Sequence, residues 1–161
     1  MTARKILLFG GVALAIIGMS YGLWYAVFAE HQALDGIGHS LTSGFQAAAE
    51  KNSAEAGNSL QQYREAKYAY DRQVDVHGHW IGLAMLLVVL AIAFDHVALP
   101  EKLKLLLAWA LLFGAALFPL GVLIQTWSHG ALPRATAILG SALVIAALVG
   151  VVFGFLRRQA A

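Results

Sequence analysis

Long apolar runs alternate with one long polar stretch along this chain. Residues 6–28 carry no charge, enough to cross a hydrocarbon core that needs about 20 residues. Glu30 and His31 close that run. Residues 31–76 are polar but patterned. Leu34, Ile37, Leu41, Phe45 and Ala48 recur at intervals of three and four, as on one face of a helix. A break is expected over residues 51–58. Beyond it Leu60, Tyr63, Lys67, Tyr70, Val74, His77 and Ile81 alternate by three and four, a heptad seam that runs into the second apolar run. The pattern predicts a helical hairpin whose arms continue two membrane helices. Gly36 and Gly38 weaken its first arm and mark a kink or a close approach.

The second run, 80–94, is short, so its span is expected to use 78–99, with Pro100 ending the helix. A third span covers 103–127, with Pro119 inside as an expected kink. Residues 128–134 read as a turn, and 135–156 as the fourth span. The expected fold is all-α: one domain over 1–161, a four-helix transmembrane bundle with spans near 6–29, 78–99, 103–127 and 135–156, and the hairpin 31–76 extending from the first two.

Composition agrees. The 161 residues are 60% hydrophobic and 12% charged, with mean hydropathy +0.69. The net charge of +2 comes from basic residues standing singly or in pairs, which gives no footprint for nucleic acid. Cysteine is absent, which excludes disulfides, thiolate zinc, iron–sulfur clusters and thioether-linked heme. Arg4 and Lys5 before an apolar run, with Val27-Phe28-Ala29 after it, imitate a signal peptide. The run is too long for one, and an uncleaved signal anchor is expected.

With four spans, Arg4 and Lys5, Lys102 and Lys104, and Arg157 and Arg158 share one side. The positive-inside rule makes that side cytoplasmic. The expected location is a bacterial inner membrane, with both termini cytoplasmic and the hairpin periplasmic. Tyr21, Trp24, Tyr25, Trp80 and Trp127 then fall at the outer ends, as an interfacial aromatic belt.

The candidate chemistry lies in the histidines. Folding the hairpin about residue 54 or 55 sets residue i level with about 109 minus i, and so His31 level with His77 to His79. His129 lies about 27 residues beyond Lys102, roughly 40 Å of helix, which brings it to the same layer. Glu30, Asp35, Asp75 and Gln125 are near. His77 and His79 point to nearly opposite sides of their helix at about 100° per residue. His77, on the seam, is expected to face the interior. His79 is expected to face a second cofactor, another subunit or headgroups. Gly78 and Gly82 form a small-xxx-small spacing that admits a neighbouring helix or a flat ring. Arg134 suits a propionate or an anionic headgroup, or serves topology. His39, expected beside Asp71, and His96, beside Asp95, read as solvated or interfacial.

His77-Gly78-His79-Trp80, an apolar helix, then His96 and Pro100, resemble a heme-bearing helix of the heme–copper oxidase catalytic subunit. The helix with Gly114 and Phe118-Pro119, and the Leu132-Pro133-Arg134 corner, are loosely similar to the next one. The likeness covers roughly 60 of 161 residues. It implies His77 and His79 as axial ligands of two hemes on opposite faces. The chain lacks the family's adjacent histidine pair and its His-Pro segment with a following tyrosine, and four spans stand for twelve. No copper centre of that type follows.

Three functions remain open. A b-type cytochrome would pair His77 with His31 or His129 as axial ligands, receiving electrons from a quinol or a periplasmic redox partner; bis-histidine ligation suits electron transfer. A copper or zinc site would use His31, His77 and His129 with Glu30 or Asp35, as an enzyme or for metal handling. A cofactor-free accessory subunit would use the hairpin to dock a partner. The lipid bilayer is a partner in all three, and a homo-oligomer is compatible with each. A transporter is disfavoured, because the apolar runs 6–28, 80–94 and 135–156 carry no charge and no inverted repeat is evident.

Overall fold

The computed structural model describes residues 2–128 and 130–159, so His129 lies outside the described residues. Within them all regular structure is helical. Helix α1 (Ala3–Phe28) starts at Thr2, whose hydroxyl accepts from the Lys5 amide at 3.5 Å. It ends at Ala29, where φ of −123° steps out of helical geometry. Helix α2 (Glu30–Ala49) follows at once. Lys51 adopts φ of 60° to reverse the chain. Asn52 then caps α3 (Ser53–Ala93), its side-chain oxygen accepting from the Glu55 amide at 3.2 Å.

The reversal therefore occupies residues 50–52, not 51–58 as the sequence suggests. Residues 53–58 already form the first turns of α3. Helix α2 runs unbroken through Gly36 and Gly38, and no other helix of this chain approaches them: a Cβ on either meets nothing within 4 Å. The break sits at Ala29 instead.

At 41 residues α3 is about 60 Å long. Its lower part packs on α1 and its upper part on α2. It passes into a 3₁₀ turn, Phe94–His96, before Pro100. Pro100 does not end this helix; it occupies the N-cap of α4 (Glu101–Ile124). Pro119 lies within α4, buried, and the helix continues through it. Helix α5 (Ala131–Gln159) begins four residues earlier than expected, so Pro133 and Arg134 belong to its first turn, where a proline lacks no helical hydrogen bond. Among the described residues four helices, α1, α3, α4 and α5, are long and apolar enough to cross a membrane.

Backbone proximity holds these helices together. A Cβ on Gly140 would lie 2.4 Å from the Phe118 amide nitrogen, and one on Gly121 2.4 Å from that of Ala137. Only glycine lets α4 and α5 lie this close. Between α1 and α3, Gly11 plays the same part: its Cβ would lie 3.0 Å from the Ala84 carbonyl. The core runs through Leu7, Leu14, Val76, Trp80, Ala84, Leu87 and Leu111. The opposite faces expose large apolar side chains, Ile16 at 63% and Met85 at 63% among them. That inversion suits a lipid surround.

Arg4 bridges Asp95 at 2.8 Å, and the Ala98 amide donates to the Gly154 carbonyl at 3.0 Å. These contacts gather the N-terminus of α1, the 94–100 turn and the C-terminal part of α5 at one end of the bundle. The basic pairs therefore do share one end. The hairpin rises from the other.

Candidate functional site at the base of the hairpin

The site is built where α1 gives way to α2 and where α3 leaves the hairpin for the bundle. Two glycines on α1, Gly18 and Gly22, leave a bare strip of backbone. The His77 ring lies across it. Its Nδ1 sits 2.9 Å from the Gly18 carbonyl oxygen. A Cβ on Gly22 would lie 2.4 Å from that nitrogen and 2.5 Å from Cε1. A carbonyl only accepts, so Nδ1 carries the proton, and in the neutral ring Nε2 keeps its lone pair. Holding one nitrogen on a backbone carbonyl fixes both tautomer and ring orientation. Histidines that bind metal are held this way by their outer shell. No partner for Nε2 occurs among the described residues.

His79 leaves α3 on the other side. Its ring packs on Phe118 of α4, with centroids 4.7 Å apart. The opposed directions expected of the pair are thus realised. Within the chain the neighbour of the half-exposed His79 is Phe118.

His31 does not meet His77. Its side chain is 86% exposed and pairs within α2 to Asp35, Nε2 to Oδ2, at 3.3 Å. The cause is register. Tyr70 donates to Glu30 at 3.3 Å, and Gly44 lies against Ser59. Contacting residues thus sum to about 100–103 in the hairpin and about 95 at His77 and Gly18, well short of 109. His31 stands 13 residues beyond Gly18, about 20 Å of helix. His39 and His96 are exposed, and Asp95 is engaged by Arg4. Arg134 is exposed in the first turn of α5. Gly78 and Gly82 are exposed too, with nothing within 4 Å of a Cβ on either, so no helix of this chain uses their spacing. Among the described residues no three of His, Asp or Glu come together as a metal site, which leaves the copper or zinc alternative without a ligand set there.

A polar and aromatic collar surrounds the two histidines. Tyr21 donates to Gln73, and its ring meets Trp80 edge-on at 5.5 Å. Tyr25 stacks on Tyr21 at 6.5 Å; its hydroxyl is buried, without a hydrogen-bond partner among the described residues. Trp80, expected in the interfacial belt, is 8% exposed and belongs to the core. On the α4 side the Tyr68 hydroxyl reaches Gln125 at 3.4 Å. Arg72 lies over the Tyr68 ring at 5.1 Å and pairs with Asp75 at 3.5 Å. Its Nε is buried, with no hydrogen-bond partner among the described residues. Arg72 precedes His79 by seven residues, two turns on the same side of α3, so a cation of the α3–α4 cleft is Arg72 rather than Arg134.

Sequence reasoning missed Gly18, Gly22, Gln73 and Arg72. Gly18-xxx-Gly22 repeats the spacing noted at Gly78 and Gly82, and marks the same capacity for close approach. The partners of Arg72 lie on its own helix, Tyr68 four residues before it and Asp75 three after, a local spacing that the heptad seam does not include. No family model matches the chain, and neither a curated protein nor a solved structure does.

Proposed function

We propose that the protein is a four-span membrane protein that binds heme b near the outer ends of its helices and transfers electrons, with His77 as a residue that would hold the heme iron. The observation that carries this reading is the His77 anchor: Nδ1–H on the Gly18 carbonyl, the ring on bare Gly22, and Nε2 left with its lone pair. A bound heme would supply a one-electron couple at this height. The chain's own part is to fix the imidazole tautomer, keep the ring from rotating, and surround it with Tyr21, Trp80 and other half-dry groups that lower the local dielectric. Its second ligand is not His31, which faces away. His129 remains the chain's own candidate. His79 and Arg72 serve the α3–α4 side, where a carboxylate such as a propionate would find the Arg72 guanidinium. A quinol in the bilayer or a soluble protein at the hairpin would be the electron donor or acceptor. The basic residues gathered at the opposite end support a cytoplasmic side there, in a bacterial inner membrane, with the hairpin outside.

The test is spectral. Protein purified after heme supplementation should show a Soret band and split α and β bands on reduction. His77→Ala should abolish them, and His31→Ala should leave them intact. A colourless protein would refute the reading.

One observation favours a second reading, a cofactor-free accessory subunit: His31 and His79 already have partners in the chain, at Asp35 and Phe118. It predicts that combined replacement of His31, His77 and His129 by alanine changes neither cofactor content nor the activity of any complex it joins.

A further inference from the structure

The outward face of α3 carries one stripe over nearly its whole length. Leu60, Val74, Met85 and Val89 are 47%, 45%, 63% and 60% exposed, and Gly78 and Gly82 lie among them. At about 100° per residue all six fall within an arc of about 80°. In lipid the exposure of Met85 and Val89 costs nothing. At the height of the hairpin the exposure of Leu60, and of Phe45 at 74% beside it on α2, is unfavourable by the ordinary hydrophobic term. Two grooves flank the stripe along the same seam. One, of about 290 Å³, runs between α2 and α3 past Leu41, Phe45 and Tyr63. The other, of about 470 Å³, runs between α1 and α3 past Ile16 and Met19.

We propose that a second copy of this chain covers this stripe, α3 against α3, about a two-fold axis normal to the membrane. Whatever covers the stripe must be apolar both at membrane height and well above it, and about as long as α3 itself. Helix α3 meets that description. The charges on the arc can pair across an axis, since Lys67 and Asp71 form an ion pair at 2.5 Å that an axis presents sign to opposite sign, with the exposed Arg64 at the edge of the arc. A strip about 60 Å long and about 10 Å wide buries roughly 600 Å² per copy, about 1,200 Å² in all, the lower end of stable interfaces. Gly78 and Gly82 lie midway, where bare backbone permits the closest approach. Two glycines inside a helix are unfavourable relative to alanine, and no contact among the described residues offsets that. This inference stands on the α3 surface and does not rest on the heme reading.

The absence of native cysteine makes the test direct. Leu60→Cys and Val74→Cys are oxidised separately in native membranes, with Ile138→Cys on α5, 67% exposed, as the control. The expected result is at least tenfold more disulfide dimer from the two α3 positions than from the control. Adding Gly82→Leu to the Val74→Cys chain should return its yield to the control level, since the new side chain meets open space in its own copy and only a partner on the other. Phe45→Asp with Leu60→Asp, above the membrane, should lower the Val74→Cys yield by an independent route. Control-level crosslinking at both α3 positions, a product whose mass is not twice that of the chain, or a yield that survives both sets of changes would overturn the proposal.

Discussion

Gly140 and Gly82 are the same residue in the same kind of helix with opposite surroundings. At Gly140 of α5 the backbone of α4 lies so near that a Cβ would be 2.4 Å from an amide nitrogen. At Gly82 of α3 the same atom would meet nothing within 4 Å. One glycine is spent on a contact inside the chain, and the other is left bare on the outside. The difference teaches that small residues in an apolar helix are not interchangeable signs of packing. What matters is whether another backbone of the same chain has come to use them. Gly22 is a third case, where a side chain, the His77 imidazole, occupies the space.

The comparison can be broken in stages. The largest effect is expected from Gly140→Leu, which must push α4 and α5 apart. It should destabilise the bundle by about 3 kcal/mol or more, measured by reversible unfolding in mixed micelles. Gly82→Leu in the same assay should leave the stability of the single chain within about 0.5 kcal/mol. Equal losses at the two positions would erase the distinction. Next comes Gly22→Ala. Its methyl must displace the His77 ring and break the contact to Gly18, at a cost of about 2 kcal/mol, and under the proposed heme reading any Soret band should weaken or shift with it. Smaller again is Gly36→Ala in α2, which faces open space like Gly82 but in the hairpin. It should stabilise the protein by about 0.5–1 kcal/mol through helix propensity alone, read as a rise in Tm.

The smallest effect is that of pH on the hairpin. The hydrogen bond from Lys67 to Asp71 holds the lysine above its ordinary value of 10.5. A group whose pKa is raised on folding favours the folded state below the unfolded pKa, and loses that contribution as pH climbs through the folded one. Hairpin stability should therefore be flat through neutral pH and decline only above about 10.5. The decline should vanish in Lys67→Met. Amide exchange in residues 60–75 would record it.

Much of this was legible in the chain. Four apolar runs gave four long helices, and the threefold and fourfold spacing of 60–81 gave a helix continuous from the hairpin into the bundle. The register was not legible, for a local reason. Residues 51–58 are polar, but Ala54, Glu55 and Ala56 are good helix formers, and Asn52 followed three residues later by Glu55 is a helix start. The turn contracted to 50–52 and moved about three residues toward the N-terminus. A shift of the fold point counts twice in the pairing. Together with the break at Ala29 it carried His31 away from His77 and put Gly18 and Gly22 there instead. The opposed directions of His77 and His79 needed only the helical repeat, and they were realised. Their neighbours, Gly22 and Phe118, depended on how distant helices dock, which no local pattern encodes.

The central claim is that His77, held by Gly18, is a heme ligand. The most direct measurement is the optical spectrum of the purified protein titrated with hemin, alongside His77→Ala and His31→Ala. The account predicts a saturable Soret band in the parent and in His31→Ala, lost in His77→Ala while helix content by circular dichroism is unchanged. A band that survives His77→Ala, or a parent that takes up no heme, would contradict it.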